Sequence, residues 1–473
     1  MPNRSQTACP KPIHYPIHMC GTRTGELTRV SKPTSKTLAK LWTPSSVSHA
    51  TAIVEEDFHD TDFLFGLVVY PSGSDLYLGI IEGVRTVFGS AGFEKRLRIK
   101  NLMSLKEDGR VIRVRNAPRA RSLVRFASED DLQRFFPIEE FPKRGYIGYV
   151  RDTRYPLPFD LDYLCFANTA ILAGIGHGKS HLGALVASQL CLKGKRVLVV
   201  DPSGDWNGTI QELKEKLTGV GLDISSSYFR GGRWMSAYEH LFKTSGAGVL
   251  AILDVSFPES TYSPKDKLKK RCSTVCRIHD RLMRRASEDY ARSKVPYGLQ
   301  TCIILDEAHE FVPHSPMEFQ RDISTLFSIS TKEYRKFGLG HIFIDQSLAA
   351  MSNELQIQTY LLGATTSPTD LNCLRSQLGR NVASAAQRTV GGTETPSWVA
   401  YGIATPVNGI PWEIETFKPD ELSILHESDM ADAEKARRVD EKRKQADREL
   451  SEEFERIKPK IEAIPGGNEP SHV

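Results

Sequence analysis

The 473-residue sequence contains no run approaching about eighteen consecutive apolar residues, so no membrane-spanning helix is expected. Its opening stretch, MPNRSQTACPKPIHYP, lacks the apolar core of a secretory signal. These two absences predict a cytoplasmic protein. Cysteine is sparse, eight in the whole chain, and in a cytosolic chain of this length that number does not make a disulfide framework. Cys9, His14, His18 and Cys20 are ligand types in a proline-rich segment, but their spacing matches no standard zinc finger, and a disordered tail is the preferred reading. Cys272, Cys276 and His279 share one helical face at i, i+4 and i+7, as a packed stripe would. A strong net charge is missing too: the balance is +4, which by itself says little about partners. Its distribution says more. Between Arg85 and Arg125 basic residues far outnumber acidic ones, and a second basic run spans Lys265 to Arg285. Each is a candidate for following a phosphate backbone, with a solvated face as the competing reading.

The most informative stretch runs from Thr169 to Asp205. An apolar run leads into a glycine-rich loop closing on Gly178-Lys179-Ser180, then a helix-forming segment, then a second apolar run ending at Asp201. Strand, loop, helix and strand in that order make a phosphate cradle. Gly174, Gly176 and Gly178 let backbone N–H groups wrap phosphate oxygens, and a helix starting near Lys179 adds the positive end of its dipole. The nucleotide-binding set is therefore Gly174, Gly176, His177, Gly178, Lys179, Ser180 and His181. Lys179 is expected to reach the terminal phosphates and Ser180 to ligate Mg²⁺. The usual first glycine of such a loop is Ala173 here.

Four segments follow from texture. Residues 1–56 are polar and rich in Ser, Thr and Pro, and are expected to form an extended or disordered arm. Residues 57–150 carry short β-type runs separated by turn signals, which predicts a small β-barrel, with Arg144 to Asp162 as connector. Residues 151–419 alternate strands and helices, predicting an α/β domain built on a parallel sheet. Residues 420–473 are densely charged and helix-forming, a projecting helix or solvated tail.

In a parallel sheet ligands sit at the carboxyl ends of the strands, where Gly178, Asp201, Asp306 and Gln346 all fall. Asp306, closing an apolar strand, is expected on the metal side of a nucleotide. Glu307 is expected to polarise an attacking water, and Gln346 to sense the γ-phosphate. Arg335 is the candidate for a positive group reaching a neighbouring subunit's site. No Asn-Lys-x-Asp reads a guanine, so ATP is the expected substrate.

DPSGD at 201–205, LDEAHEFVP at 305–313, EYRKFGLGHIFIDQS at 333–347 and SPTDLNCLRSQLG at 367–379 resemble the HerA-like branch of the HerA/FtsK superfamily of DNA-pumping ATPases. The resemblance implies a RecA-like P-loop core behind a small β-barrel, with Lys179, Ser180, Asp306, Glu307 and Gln346 in the nucleotide site. It implies Arg335 as an inter-subunit finger, although the family's preceding glycine is Tyr334 here, and Ser347-Leu348 stand where relatives have Arg-Pro. It also implies a homohexamer that moves double-stranded DNA using ATP and Mg²⁺, with a nuclease partner and no membrane attachment. A conjugation or secretion motor, and an ATP-gated scaffold for a partner enzyme, are the alternatives.

Overall fold

The computed structural model describes residues 37–42, 46–54, 64–89, 92–138, 144–243, 248–258, 262–293, 299–389, 396–417, 419–422 and 425. The Cys9–Cys20 cluster lies outside the described residues, as does nearly all of the expected 420–473 helix.

The first unit comprises β1 (Ala39–Trp42), β2 (His49–Val54), β3 (Leu67–Ser72), β4 (Asp75–Gly89), β5 (Gly92–Leu105), β6 (Val111–Arg113) and β7 (Leu123–Phe126). Every pairing is antiparallel. The order β2-β1-β7-β3-β4-β5 closes through a β2–β5 pairing, so six strands form a barrel, with β6 added to the end of β5. Closure removes the edges that open sheets leave unpaired. Its interior holds Leu41, Ala52, Val68, Tyr70, Ile81, Leu97 and Val124.

Two expectations change here. β1 and β2 lie within residues 1–56, so the supposed arm contributes two barrel strands. β1 buries only Ala39 and Leu41, too short an alternation to stand out from a polar background. The runs 76–81 and 84–88, read as separate strands, are one continuous β4 whose ladder slips at Leu78/Gly79 and Ile81/Gly83. Those glycines mark bulges rather than turns.

After α1 (Glu129–Phe135) come β8 (Arg144–Val150), β9 (Pro156–Asp160), α2 (Leu161–Phe166), β10 (Thr169–Leu172), α3 (Lys179–Leu192), β11 (Arg196–Asp201) and α4 (Trp206–Gly219). Next are β12 (Ser225–Phe229), α5 (Trp234–Lys243), β13 (Val249–Asp254), α6 (Pro264–Ser293), β14 (Thr301–Leu305), α7 (Glu318–Glu333) and β15 (Leu339–Asp345). The chain continues through β16 (Thr359–Leu362), α8 (Pro368–Leu378), α9 (Arg380–Arg388), β17 (Ser397–Gly402) and β18 (Trp412–Thr416). These strands form one sheet in the order β12-β13-β11-β14-β15-β10-β16-β17-β18-β8-β9. It is parallel from β12 to β16 and antiparallel beyond. The fold is thus a six-stranded antiparallel barrel followed by a largely parallel α/β sheet that carries the phosphate loop.

The supposed connector at 144–162 is corrected as well: β8 and β9 are a hairpin of the large sheet. A boundary between residues 150 and 151 would cut it. Pro156 and Pro158, which suggested a linker, sit on β9 at the sheet's edge, where a missing N–H breaks no ladder. Strands β10, β13, β14 and β15 are buried along their whole length, which accounts for their unbroken apolar runs. Register fixes the rim: Leu172 lies beside Asp345, and Asp201 beside Asp254. The phosphate loop and all three strand-end aspartates therefore leave the sheet on the same side.

Candidate active site

The phosphate loop follows β10. Gly176 and Gly178 have φ of 75° and 80°, the left-handed region that a side chain strains, and Gly178 caps α3. The first turn of α3 carries no acidic residue, which leaves its N-terminal N–H groups and dipole free for an anion. Lys179 is buried, with Nζ donating to the Gly174 carbonyl at 3.1 Å. Burial pulls the lysine's pKa down, and the carboxylates of Glu307, Asp306 and Asp345 hold it up. Leu172 lies beside Asp345 and Leu305 beside Phe343, so Lys179, Asp306 and Glu307 all follow strands that end on the same rim.

Asp306 is almost fully buried, and its Oδ2 accepts the Trp206 indole N–H at 2.9 Å. Burial pushes its carboxyl up to about 7, against the Trp206 hydrogen bond, with the charges of Glu307 and Asp201 adding to the rise. A buried carboxylate driven toward neutrality fits a place where a cation belongs. Asp306 and the half-buried Ser180 hydroxyl supply the hard oxygen donors that Mg²⁺ takes.

Glu307 sits at φ 45° and ψ 55°, a left-handed conformation that costs a non-glycine residue about 1–3 kcal/mol and often marks a functional site. Its side chain is held from two sides. Gln346 Nε2 donates to both carboxylate oxygens, at 3.1 and 3.3 Å, and His309 Nδ1 lies 3.5 Å from Oε2. Asp345, also buried, organises this group: Oδ2 accepts the His309 backbone N–H at 2.6 Å, and Oδ1 accepts those of Gln346 and Ser347 at 2.7 and 3.1 Å. The His309 ring lies 3.1 Å from Asp345, a hydrogen bond that raises the imidazole's pKa against the effect of burial.

Asp201 works at one remove. Its carboxylate accepts from the Ser203 and Gly204 backbone N–H groups and from Trp206 N, folding the DPSGD turn so that α4 starts with Trp206 aimed at Asp306. Sequence reasoning missed Trp206, His309 and Asp345 as site residues. Asp345 was visible as the strand end beside Gln346, but nothing local showed which of the two would support the other.

Arg335 is not part of this group. It is exposed on the 3-10 turn Tyr334–Phe337 that feeds the amino end of β15. The seven-residue strand puts it about 20 Å from the rim. His177 is half-buried within the loop, and His181 is exposed on the first turn of α3. Among the described residues one cluster offers ligand atoms mutually within 4.8 Å, Glu307 with His309 and Asp345, but hydrogen bonds already engage those atoms. Along the helical stripe Cys272 and His279 are buried and Cys276 is half-buried, with the His279 ring tilted against Phe327 at a centroid distance of 4.2 Å.

No curated protein matches the sequence. Among solved structures, the genome packaging NTPase B204 of Sulfolobus turreted icosahedral virus 2, in complex with ATP-gammaS, is 12% identical, with a TM-score of 0.32 over 53% of this chain and 96% of that one. The pCW3 conjugation coupling protein TcpA is 12% identical, with a TM-score of 0.37 over 83% of this chain and 94% of that one. VirB4 of Thermoanaerobacter pseudethanolicus is 14% identical, with a TM-score of 0.36 over 59% of this chain and 97% of that one. Residues 145–224, from the start of β8 through the phosphate loop to the end of α4 and just beyond, match the family model DUF87, helicase HerA, central domain, a stretch that holds the phosphate loop and the DPSGD motif.

Proposed function

We propose that this chain is an ATP-hydrolysing motor subunit that moves double-stranded DNA. One observation carries the reading: the strand before the phosphate loop and the strand before Asp306-Glu307 end on the same rim of a single sheet, with Leu172 beside Asp345 and Leu305 beside Phe343. Backbone N–H groups of the loop and the α3 dipole bind the phosphates, with Lys179 neutralising the terminal ones. Glu307 is the base that takes a proton from water in line with the γ-phosphate, and Gln346 links that base to the γ-phosphate position. Ser180 and Asp306 would hold Mg²⁺, which would supply charge neutralisation at the phosphates.

A catalytic role for Arg335 would require a ring. Set at the far end of β15, it can serve only a site outside its own chain, as in a homohexamer whose subunits complete each other's sites. A nuclease partner rests on the family resemblance alone. The test is ATP turnover with and without linear duplex DNA, in the wild type and in Lys179→Ala and Glu307→Gln. DNA-stimulated turnover lost in both variants, together with a ring in solution, is the expected outcome. Turnover indifferent to DNA in a protein that stays monomeric would sink the motor reading.

A further inference from the structure

Past the barrel wall, β4 and β5 continue as a two-stranded ribbon. β3 pairs with β4 as far as Ile80, and β2 with β5 as far as Arg96, whereas the rungs Thr86–Lys95, Val87–Glu94, Phe88–Phe93 and Gly89–Gly92 pair with no third strand among the described residues. At the rise of a β-strand, these rungs carry the ribbon about 10 Å beyond the barrel.

The outermost side chains described on this ribbon are aromatic. Phe88 is 76% and Phe93 81% exposed, and the two rings meet edge to face at a centroid distance of 5.4 Å. Together they present on the order of 300 Å² of aromatic surface to water, comparable with the largest apolar patch on a typical monomer. Their contact leaves most of both rings uncovered, so holding the two strands together does not account for them.

Positive charge flanks the pair. Residues 82–100 hold Arg85, Lys95, Arg96, Arg98 and Lys100 against only Glu82 and Glu94. Both acids are already engaged: Glu94 by Arg96 at 3.0 Å, and Glu82 by His49 at 3.2 Å, with Arg98 at 3.9 Å and Lys100 at 4.0 Å. Arg85 is exposed and lies directly opposite Arg96, although like charges facing each other across a ladder repel. Alternation puts these two arginines on one face of the ribbon and Lys95, Phe88 and Phe93 on the other. A polyanion that also offers flat apolar faces answers both features, whereas a protein pocket for the two rings would not call for the cations.

We propose that the β4–β5 ribbon holds DNA at unpaired bases, with Phe88 and Phe93 stacking on the bases and Arg85, Lys95 and Arg96 following the flanking phosphates. The proposal deepens the DNA-moving reading and rests on it. Rings on a projecting tip meet base faces most readily where the base stack ends, at a duplex terminus or a single-stranded overhang.

Fluorescence anisotropy on the full chain measures binding to a duplex with a single-stranded overhang and to a relaxed, covalently closed circular duplex. Basal ATP turnover without DNA reports that each variant is folded. Phe88→Ser combined with Phe93→Ser should weaken overhang binding about tenfold or more, and binding to the closed circle by no more than about twofold. Tyrosine at both positions, which keeps the π faces, should restore overhang binding, and leucine at both should not. Arg85→Ala should weaken binding to both DNAs and lower the salt dependence by about one ion. Unchanged overhang binding in the serine pair, or equal losses on both DNAs, overturns the proposal. Rescue by leucine as complete as by tyrosine also overturns it, and assigns the tip to an apolar protein surface. A wild-type chain that binds neither DNA would sink the DNA-moving reading itself, and the ribbon's part with it.

Discussion

Arg271 lies within the basic run that sequence alone offered as a DNA-facing surface, yet the fold uses it as an internal clamp. Its guanidinium is buried: Nε donates to the Val255 carbonyl at 3.0 Å, Nη2 to that of Pro202 at 2.6 Å, and Nη1 to Glu310 at 2.6 Å. Those acceptors follow β13, β11 and β14, so one side chain ties together the three strand-end loops that carry the site. Removing one partner of a buried ion pair costs about 3–5 kcal/mol. The Glu310 side chain keeps 24% exposure, which places this pair near the lower end, about 3 kcal/mol. Two carbonyls stranded without donors add about 1 kcal/mol each. Arg271→Met should therefore cost roughly 5 kcal/mol, a fall in melting temperature of about 10 °C or more for a domain of this size. Calorimetric melting, run beside the exposed Arg277→Ala, separates the two roles. Arg277→Ala should melt within about 0.5 kcal/mol of wild type while lowering the salt dependence of DNA binding by about one ion. An Arg271→Met protein that melts normally but has lost its DNA response would refute the clamp.

Three further outcomes follow from the site. Glu307→Gln should bind ATP normally and release phosphate about 10²–10⁴-fold more slowly in single-turnover assays, and equal losses of binding and rate would argue against its role as base. Trp206→Phe removes the donor that holds the Asp306 pKa down, so near pH 7 half-maximal turnover should need several times more Mg²⁺, and superimposable Mg²⁺ titrations would count against the link. The His309 pKa is raised by Asp345, so the stability this pair contributes is complete below the imidazole's ordinary value of 6.5 and fades as the pH climbs through the higher folded value. His309→Gln should flatten that alkaline decline in melting temperature, while a decline that persists unchanged would assign it to other groups.

How much of this was legible depends on whether the relevant chemistry is contiguous. The phosphate loop was readable because its glycines, Lys179 and Ser180 act as one short stretch whose job is done largely by its own backbone. β11, β13, β14 and β15 were readable because both faces are buried, which demands unbroken apolar runs. β1 and β2 were not, because each buries only two side chains; nor was the β8–β9 hairpin, which is largely buried but joins the sheet through a strand far along the chain, Tyr149 lying beside Glu415. Prolines made β9 resemble a linker, and only its place at the sheet's edge reconciles them with a strand.

The same distinction runs through the site. Asp306 and Glu307 announce themselves by closing a buried strand, but the groups that hold them come from elsewhere: Trp206 from α4, aimed by Asp201, and His309 fixed by Asp345. Arg335 is the instructive opposite. Because it precedes β15 and the site lies at the carboxyl ends of parallel strands, chain direction alone puts it at the wrong end of its own sheet. That exclusion confines any catalytic role of Arg335 to the rim of another copy of the chain, since the strand direction keeps it from its own.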